Sequence, residues 1–477
     1  MSKKFVEGED IKEIFEKFKK EDQELIAKFK SVTLLEDIKQ ELSIKHLKDD
    51  NLKVTAFLVA VSGLLSNPSR RMSLALTGDS SVGKDNLIKT ILSHMPYATS
   101  MFLTKGTTAT IEDNLKVPIL ALSEMNLFRD FGANKDLLEV VKQRTEGGIT
   151  SMKKDLSNSN KTAKITYSEQ GTVFYGSTDN ERDKEMETRF IFGDISADYD
   201  KIKLVNENTF DTFSDCDLIK SKKSNIDSWV KLGLTKLKEE FGSYDIVLPF
   251  AKYLKGQING QDIFDYNNAR SMRDVKRLLS LTCATTFLHS FDKVKDNSFI
   301  KGTVTDFIET LTYSIDYFNQ TYSGLDARLK EVLTIIDDFS GTWCPRDLIE
   351  EKLGKAKNTI KNYCTSLSEA GLIEGIKGSE VDREKYPLLK FDGNKIYYRR
   401  CQKGVKKPLI RCQVLELKEY LESKLKEEID TLTHERYQKE GVNQGVKYEG
   451  IENNPKIEEI DTFSLTPFIH EEVSDEN

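Results

Sequence analysis

The chain of 477 residues contains no apolar run long enough to span a bilayer, which argues against an integral membrane protein. Its opening, from Met1 to Glu21, is crowded with lysine and glutamate and has no apolar segment of the secretory type. A cytoplasmic location is therefore expected. Cysteine is scarce and dispersed. Cys216, Cys283, Cys344, Cys364, Cys401 and Cys412 form no CxxC pair, so neither a disulfide framework nor a zinc site is implied. The 5 histidines are scattered as well. Excess positive charge is also missing: the net charge is −7, the wrong sign for a protein that coats nucleic acid with its whole surface.

What is present is an ordinary globular composition, 38% hydrophobic and 31% charged, in a chain long enough for two or three domains with their own cores. The charge is unevenly spread. Residues 326–411 hold 18 Lys/Arg against 13 Asp/Glu, whereas residues 446–477 hold 9 acidic against 2 basic residues. This reads either as a DNA-contacting module followed by a solvated arm or as two surfaces of different charge.

Periodicity divides the chain further. Residues 1–50 place apolar residues at helical spacing among lysines and glutamates, and 53–66 form a more apolar helix closed by Asn67-Pro68-Ser69. From about residue 51 to 199, short apolar runs alternate with helical ones, which predicts an α/β domain with a parallel sheet. Residues 200–325 read as mainly helical. Residues 326–411 carry a helix–helix–helix–hairpin pattern, 412–440 a charged amphipathic helix, and 441–477 an acidic, flexible tail.

Residues 78–84, Gly-Asp-Ser-Ser-Val-Gly-Lys, fit the GxxxxGK pattern of a phosphate-cradling loop. The run Met72–Leu76 leads in as a strand. Asp85–Met95 leads out as a helix with Leu87, Ile88, Ile91 and Leu92 on one face. Strand, loop and helix are the arrangement the chemistry needs. Backbone N–H groups turn towards phosphate oxygens, and the helix N-terminus adds partial positive charge. Gly78, Asp79, Ser80, Ser81, Val82, Gly83, Lys84, Asp85 and Asn86 are therefore the candidates for holding a nucleotide, ATP with Mg²⁺, and Lys84 would neutralise its outer phosphates. The next position departs from the pattern: a hydroxyl is usual there, and this chain has Asp85.

Residues 117–124, Val-Pro-Ile-Leu-Ala-Leu-Ser-Glu, read as an apolar strand ending in a carboxylate, in the manner of a Walker B strand. Glu124 fits a general base that polarises the attacking water. The metal-side carboxylate that usually precedes it is replaced by Ser123. Two readings follow. Either Asp85 and Ser123 exchange roles, a loop carboxylate and a strand hydroxyl holding Mg²⁺ together, or the site is degenerate and binds nucleotide with slow hydrolysis.

In their order and spacing these motifs resemble the AAA+ ATPases of the MCM-like (minichromosome maintenance) helicase branch, over roughly residues 50–290 and the C-terminal module. Leu103–Thr110 resembles the small-residue segment before that branch's helix-2 insert. Gly147–Lys154, with Lys164–Tyr167 as a returning strand, is similar to its pre-sensor-1 hairpin. The resemblance implies that Lys153 and Lys154 grip a DNA backbone in a central pore; the plain alternative is a solvated hairpin. The strand Thr172–Ser177 ends where sensor 1 belongs, which leaves Thr178 or Asn180 to orient the water or the γ-phosphate. Glu187–Phe192 resembles the arginine-finger segment, so Arg189 would reach a phosphate held by a neighbouring subunit, implying a hexameric ring. Ala269–Leu281 resembles the sensor-2 helix, with Arg273, or second Arg270, contacting phosphates in cis.

Downstream, helices over 328–339, Trp343–Leu353 and from Ala356 to Gly371, followed by Ile373–Gly378 and Lys395–Arg400 as paired strands, predict a winged helix. Lys355, Lys357, Asn358, Thr359 and Lys361 are the candidate DNA contacts; such modules also bind proteins. The apolar island Phe463–Ile469 in the tail is either a docking peptide for another replication protein or packs on its own domain. The fold expected is thus an α/β P-loop AAA+ domain with a helical lid and a C-terminal winged-helix domain. The function expected is an ATP-hydrolysing ring motor on single- or double-stranded DNA, a nucleoid-associated replicative helicase. The alternatives are an initiator or loader that remodels DNA and a nucleotide-gated DNA-binding regulator.

Overall fold

The computed structural model describes residues 11–444 apart from 105–110, 112–113, 115, 125–132, 148, 155–161, 168, 179–187, 196–198, 215–227, 267–269, 294, 324–326, 340–341, 370–371, 382–390 and 402–408. For some further positions, Glu124 and residues 149–154 and 162–167 among them, it describes the backbone alone. Packing gathers Met1–Lys424 into one compact unit and Leu425–Asn477 into another. No helix among the described residues is long and apolar enough to cross a membrane.

Three helices precede the first strand: α1 (Ile11–Phe29), α2 (Leu34–Ser43) and α3 (Asp50–Ser62). The last is apolar on every side, and its residues from Leu52 to Ser62 are all buried. A helix of that kind needs partners all round. It finds them in the central sheet and in two long helices from far downstream, α8 (Ser271–Leu288) and α9 (Val304–Ser323). Thr55 Oγ1 donates to the Tyr313 carbonyl at 2.8 Å across this contact.

The sheet is parallel and five-stranded. It contains β1 (Leu74–Thr77), β2 (Ser100–Leu103), β3 (Ile119–Glu124), β6 (Thr172–Ser177) and β7 (Ile191–Asp194), in the order β2-β3-β6-β1-β7. An apolar cluster that includes Ala75, Leu120, Leu122, Tyr175, Phe190 and Phe192 covers one face. The chain leaves β1 for the β2 edge, returns inward through β3 and β6, then crosses β1 to reach β7. Neighbouring strands β1 and β6 thus send their connections to opposite sides, which opens a crevice at their carboxyl ends. Those ends are level, with Thr77 paired to Ser177 on one side and to Asp194 on the other.

Helix α4 (Lys84–Ser93) follows β1, and α5 (Ala133–Glu146) follows β3. The strands β4 (Ile149–Lys154) and β5 (Thr162–Tyr167) then form an antiparallel hairpin, longer on its return side than the sequence suggests. Beyond β7 come α6 (Tyr199–Ser214) and α7 (Trp229–Phe241), ahead of α8 and α9. The region 200–325 is mainly helical, as read, but it also contains a small sheet of β8 (Asp245–Val247), β11 (Lys295–Asp296) and β12 (Phe299–Lys301), and a hairpin of β9 (Gln257–Ile258) and β10 (Gln261–Asp262). Strands of two or three residues carry no readable period.

The downstream segment has α10 (Ala327–Asp337), β13 (Cys344–Pro345), α11 (Arg346–Leu353), α12 (Lys357–Glu369) and the antiparallel pair β14 (Ile373–Lys377) and β15 (Ile396–Arg400). Ile336, Ile349, Ile360, Cys364, Leu367 and Ile373 belong to its core. The second helix does not begin at Trp343. Pro345 is extended, with φ −68 and ψ 139, and Cys344 and Pro345 pair with Tyr398 and Tyr397. A long helix, α13 (Val414–Gln444), follows.

Candidate functional site

The loop between β1 and α4 is shaped by its two glycines. Gly78 has φ +153, and a Cβ there would stand 2.3 Å from the Ile195 carbonyl oxygen, so the loop leaves β1 with its backbone pressed against the end of β7. Gly83 has φ +101 and caps α4; left-handed backbone of this kind favours glycine. Ser81 also has a positive φ, 67°. Lys84 is buried in the first turn of α4, and its ammonium donates to the carbonyls of Gly78 at 2.9 Å and Asp79 at 2.8 Å. The side chain thus curls back into the loop, within reach of any anion the loop cradles.

Asp85 and Ser123 meet. The Ser123 hydroxyl donates to Asp85 Oδ2 at 2.6 Å. A break in the ladder between β3 and β6 falls between Leu122 and Glu124, which steps over Ser123. Such bulges re-aim a side chain, and here the hydroxyl turns onto the loop's carboxylate. The two residues line a cleft of about 290 Å³ with Ser80, Ser81, Gly83, Lys84 and Asn86. Of the loop positions read as nucleotide-binding, Gly78 and Asp79 contribute carbonyls to Lys84, and Val82 is buried against Gly78. No group of three or more His, Cys, Asp or Glu gathers as a metal cage among the described residues. One carboxylate beside one hydroxyl suits a cation such as Mg²⁺, which keeps waters and is completed by substrate phosphates.

Thr178 follows directly on β6, whose last residue, Ser177, pairs with Thr77, and is half-buried. The Glu124 backbone ends β3 in register with Gly176; its side chain lies outside the described residues, as does all of Asn180. On the other flank of the loop stands a group that sequence reading missed. Asn86 donates through Nδ2 to the Lys45 carbonyl at 3.0 Å and meets His46 Nδ1 at 3.2 Å. His46 Nε2 lies 2.8 Å from Asp49 Oδ2, which also receives Lys201 at 2.6 Å. Burial pushes the Asp49 carboxyl up, but the hydrogen bonds from His46 and Lys201 outweigh it and hold the group below its ordinary value. Nothing in the spacing of His46, Asp49 and Lys201 links them; left-handed backbone at Lys48 and Asp49 brings the first two under the loop.

A second cleft, about 220 Å³, lies at the amino ends of the strands, with Arg71, Glu146, Arg189, Arg273, Lys276 and Arg277 in its walls. Arg189 comes just before β7 and bonds the Lys142 carbonyl at 3.1 Å and Glu146 at 2.9 Å. Arg277, on α8, donates to the carbonyls on either side of Arg189, those of Thr188 and Phe190, and to Asp274 at 2.9 Å. Burial lowers the Arg277 pKa to about 10 against the opposing pull of Asp274. Arg270 bonds the other oxygen of Asp274 at 3.0 Å. Arg273 stands with Arg189, at the opposite end of the sheet from the β1–α4 loop of its own chain, and the two clefts share no lining residue.

The remaining candidates are cationic. Lys153 and Lys154 pair with Ala163 and Thr162 at the far end of the β4–β5 ladder, and their side chains lie outside the described residues. In the downstream module Lys357, Asn358 and Lys361 are exposed along α12, and Thr359 is half-buried. Lys355 is differently placed: its ammonium lies 3.7 Å from Asp79, which Arg328 also reaches at 3.1 Å. On the paired strands, Arg399 bonds Glu374 and Arg400 lies 3.6 Å from Asp337. The tail segment Phe463–Ile469 lies outside the described residues.

Compared with known proteins, the sequence matches no family model, and no curated protein resembles it significantly.

Proposed function

We propose that the protein is an ATP-hydrolysing motor of the AAA+ type, related to the MCM-like branch, that assembles as a ring and works on DNA. The observation that carries the reading is the 2.6 Å hydrogen bond between Ser123 and Asp85 beside a buried Lys84 in a glycine-shaped loop. This contact between the loop carboxylate and the strand hydroxyl supports the exchanged-ligand reading. With MgATP bound, the metal would be held by Asp85, Ser123 and the phosphates, and would neutralise phosphate charge. Lys84 moves from the Gly78 and Asp79 carbonyls to the outer phosphates. Thr178, just past the end of β6, orients the water, and Glu124 takes its proton.

The placement of Arg189 supports a ring. Cradle and arginine cleft lie at opposite ends of one sheet, so an arginine that completes the site comes from another copy. Arg273, in the same cleft, joins it in trans. The exposed Lys357, Asn358 and Lys361, with the lysines at the end of the β4–β5 ladder, supply the DNA-facing charge.

ATP turnover measured with and without DNA, beside unwinding of a forked duplex, tests the reading. Mg²⁺-dependent hydrolysis stimulated by DNA, with strand separation, is expected. Absence of hydrolysis in the presence of DNA would overturn it. Hydrolysis without strand separation would point to a loader-type remodeller instead.

A further inference from the structure

Asp79 is the second residue of the phosphate loop, and two cations from the downstream module converge on its carboxylate. Arg328, in the first turn of α10, reaches Oδ1 at 3.1 Å. Lys355 reaches Oδ2 at 3.7 Å from the turn between α11 and α12. That turn is set by Gly354, whose φ of +59 caps α11 and swings the chain so that Lys355 meets the loop. Lys357 and Lys361 lie next along the same surface. A cation that a DNA phosphate would attract is therefore already engaged by a residue of the nucleotide cradle.

The charge balance gives this a direction. An exposed carboxylate beside a cradle for a polyanion repels that polyanion. Arg328 and Lys355 cancel the repulsion while they sit on Asp79. DNA phosphates compete for the same two groups and, when they take them, leave Asp79 uncompensated. From this we infer that Arg328 and Lys355 act on the nucleotide site through Asp79, and that DNA on the downstream module and nucleotide in the loop oppose each other's binding. The coupling is reciprocal: each ligand weakens the other by the same factor. The side chains of Asp79 and Lys355 are 61% and 46% exposed, so the coupling is modest, about two- to fivefold, and fades with salt. The inference rests on the reading of Gly78–Lys84 as a nucleotide cradle and of the module as a DNA contact.

The test titrates the full chain with a fluorescent ATP analogue and Mg²⁺, with and without a short duplex. Anisotropy of the labelled duplex reports DNA binding. Duplex is expected to raise the nucleotide Kd about two- to fivefold at low salt and to have little effect at high salt. Asp79→Asn is expected to tighten nucleotide binding and to shrink the effect of DNA. The double variant Arg328→Gln with Lys355→Gln is expected to weaken nucleotide binding and also to lose the effect of DNA. The opposite signs separate a charge effect from damage to the fold, which would weaken binding in both. Equal nucleotide Kd with and without bound duplex, or weakening in both variants, overturns the inference and leaves the cradle reading standing. No analogue binding, or no duplex binding, by the unaltered chain overturns the reading beneath it and the inference with it.

Discussion

The two clefts at opposite ends of the central sheet are built on different plans. The cleft at the β1–α4 loop draws all its lining residues but Ser123 from one short stretch, Ser80, Ser81 and Gly83 to Asn86. Its cation, Lys84, donates to the backbone carbonyls of Gly78 and Asp79 within the loop itself. The arginine cleft draws its cations from three distant segments, around Arg71, Arg189 and Arg273. There Arg189 and Arg277 already hold Glu146 and Asp274. The first plan suits a ligand that arrives and leaves. The second suits a set of charges held ready in fixed positions, since a cation that is already oriented loses little freedom when an anion arrives.

The sharpest way to break this comparison is Arg189→Ala. If the arginine cleft serves a neighbouring subunit, ATP turnover falls by about 10³-fold or more, while the nucleotide Kd of the isolated chain stays within about twofold. Mixing this variant with Lys84→Ala subunits is expected to restore part of the turnover, because some interfaces then pair an intact cradle with an intact arginine. No recovery on mixing would mean the two clefts do not belong to one site. Next in size is the ligand exchange. Asp85→Ala is expected to lower Mg²⁺-dependent turnover by roughly 10²-fold, and the double variant Asp85→Ser with Ser123→Asp to regain much of it. Unchanged turnover in the single variant would remove Asp85 from the site.

The first cleft was legible in the sequence because its parts are neighbours in the chain. Gly78, Gly83 and Lys84 announce themselves by spacing, and β6 was read at its observed bounds, Thr172–Ser177, because both its ends are marked and its interior is apolar. Ser123 was identified as a partner for Asp85 through the strand's departure from pattern. The bulge that aims it was not visible, since a one-residue shift in pairing depends on the partner strand. The edge strands β2 and β7 are four residues long, too short for their period to stand out. The His46–Asp49–Lys201 group and the arginine cleft were hidden because their residues meet only through tertiary folding. The place of Arg273 beside Arg189 was not visible either, because helix spacing does not say which way a helix runs against its neighbours.

Stability separates the clefts as well. Asp274→Ala leaves Arg277 buried without its carboxylate, at a cost of about 3–5 kcal/mol, and thermal melting is expected to show it as a lower Tm. A melt unchanged from the original chain would mean the arginine cleft is not held by this pair. Smaller again is the acid response of the group under the phosphate loop. Because Asp49 titrates below its ordinary value of 3.8, it stabilises the fold above that pH, and the contribution disappears as pH falls through the lowered value. The Tm difference between the original chain and Asp49→Asn should therefore be largest near neutrality and shrink as the pH falls below 3.8. The smallest effect is expected from Lys357→Ala with Lys361→Ala, which should weaken duplex binding without sequence preference and reduce its salt slope by about two.

Arg277 grips the carbonyls immediately before and after Arg189 from the side of helix α8. Two points of attachment on one short segment act as a yoke that ties the backbone around Arg189 to this 18-residue helix. Helix α3, which precedes β1, packs against both α8 and α4. One run of packed helices thus joins the backbone at Arg189 to the helix that begins at Lys84.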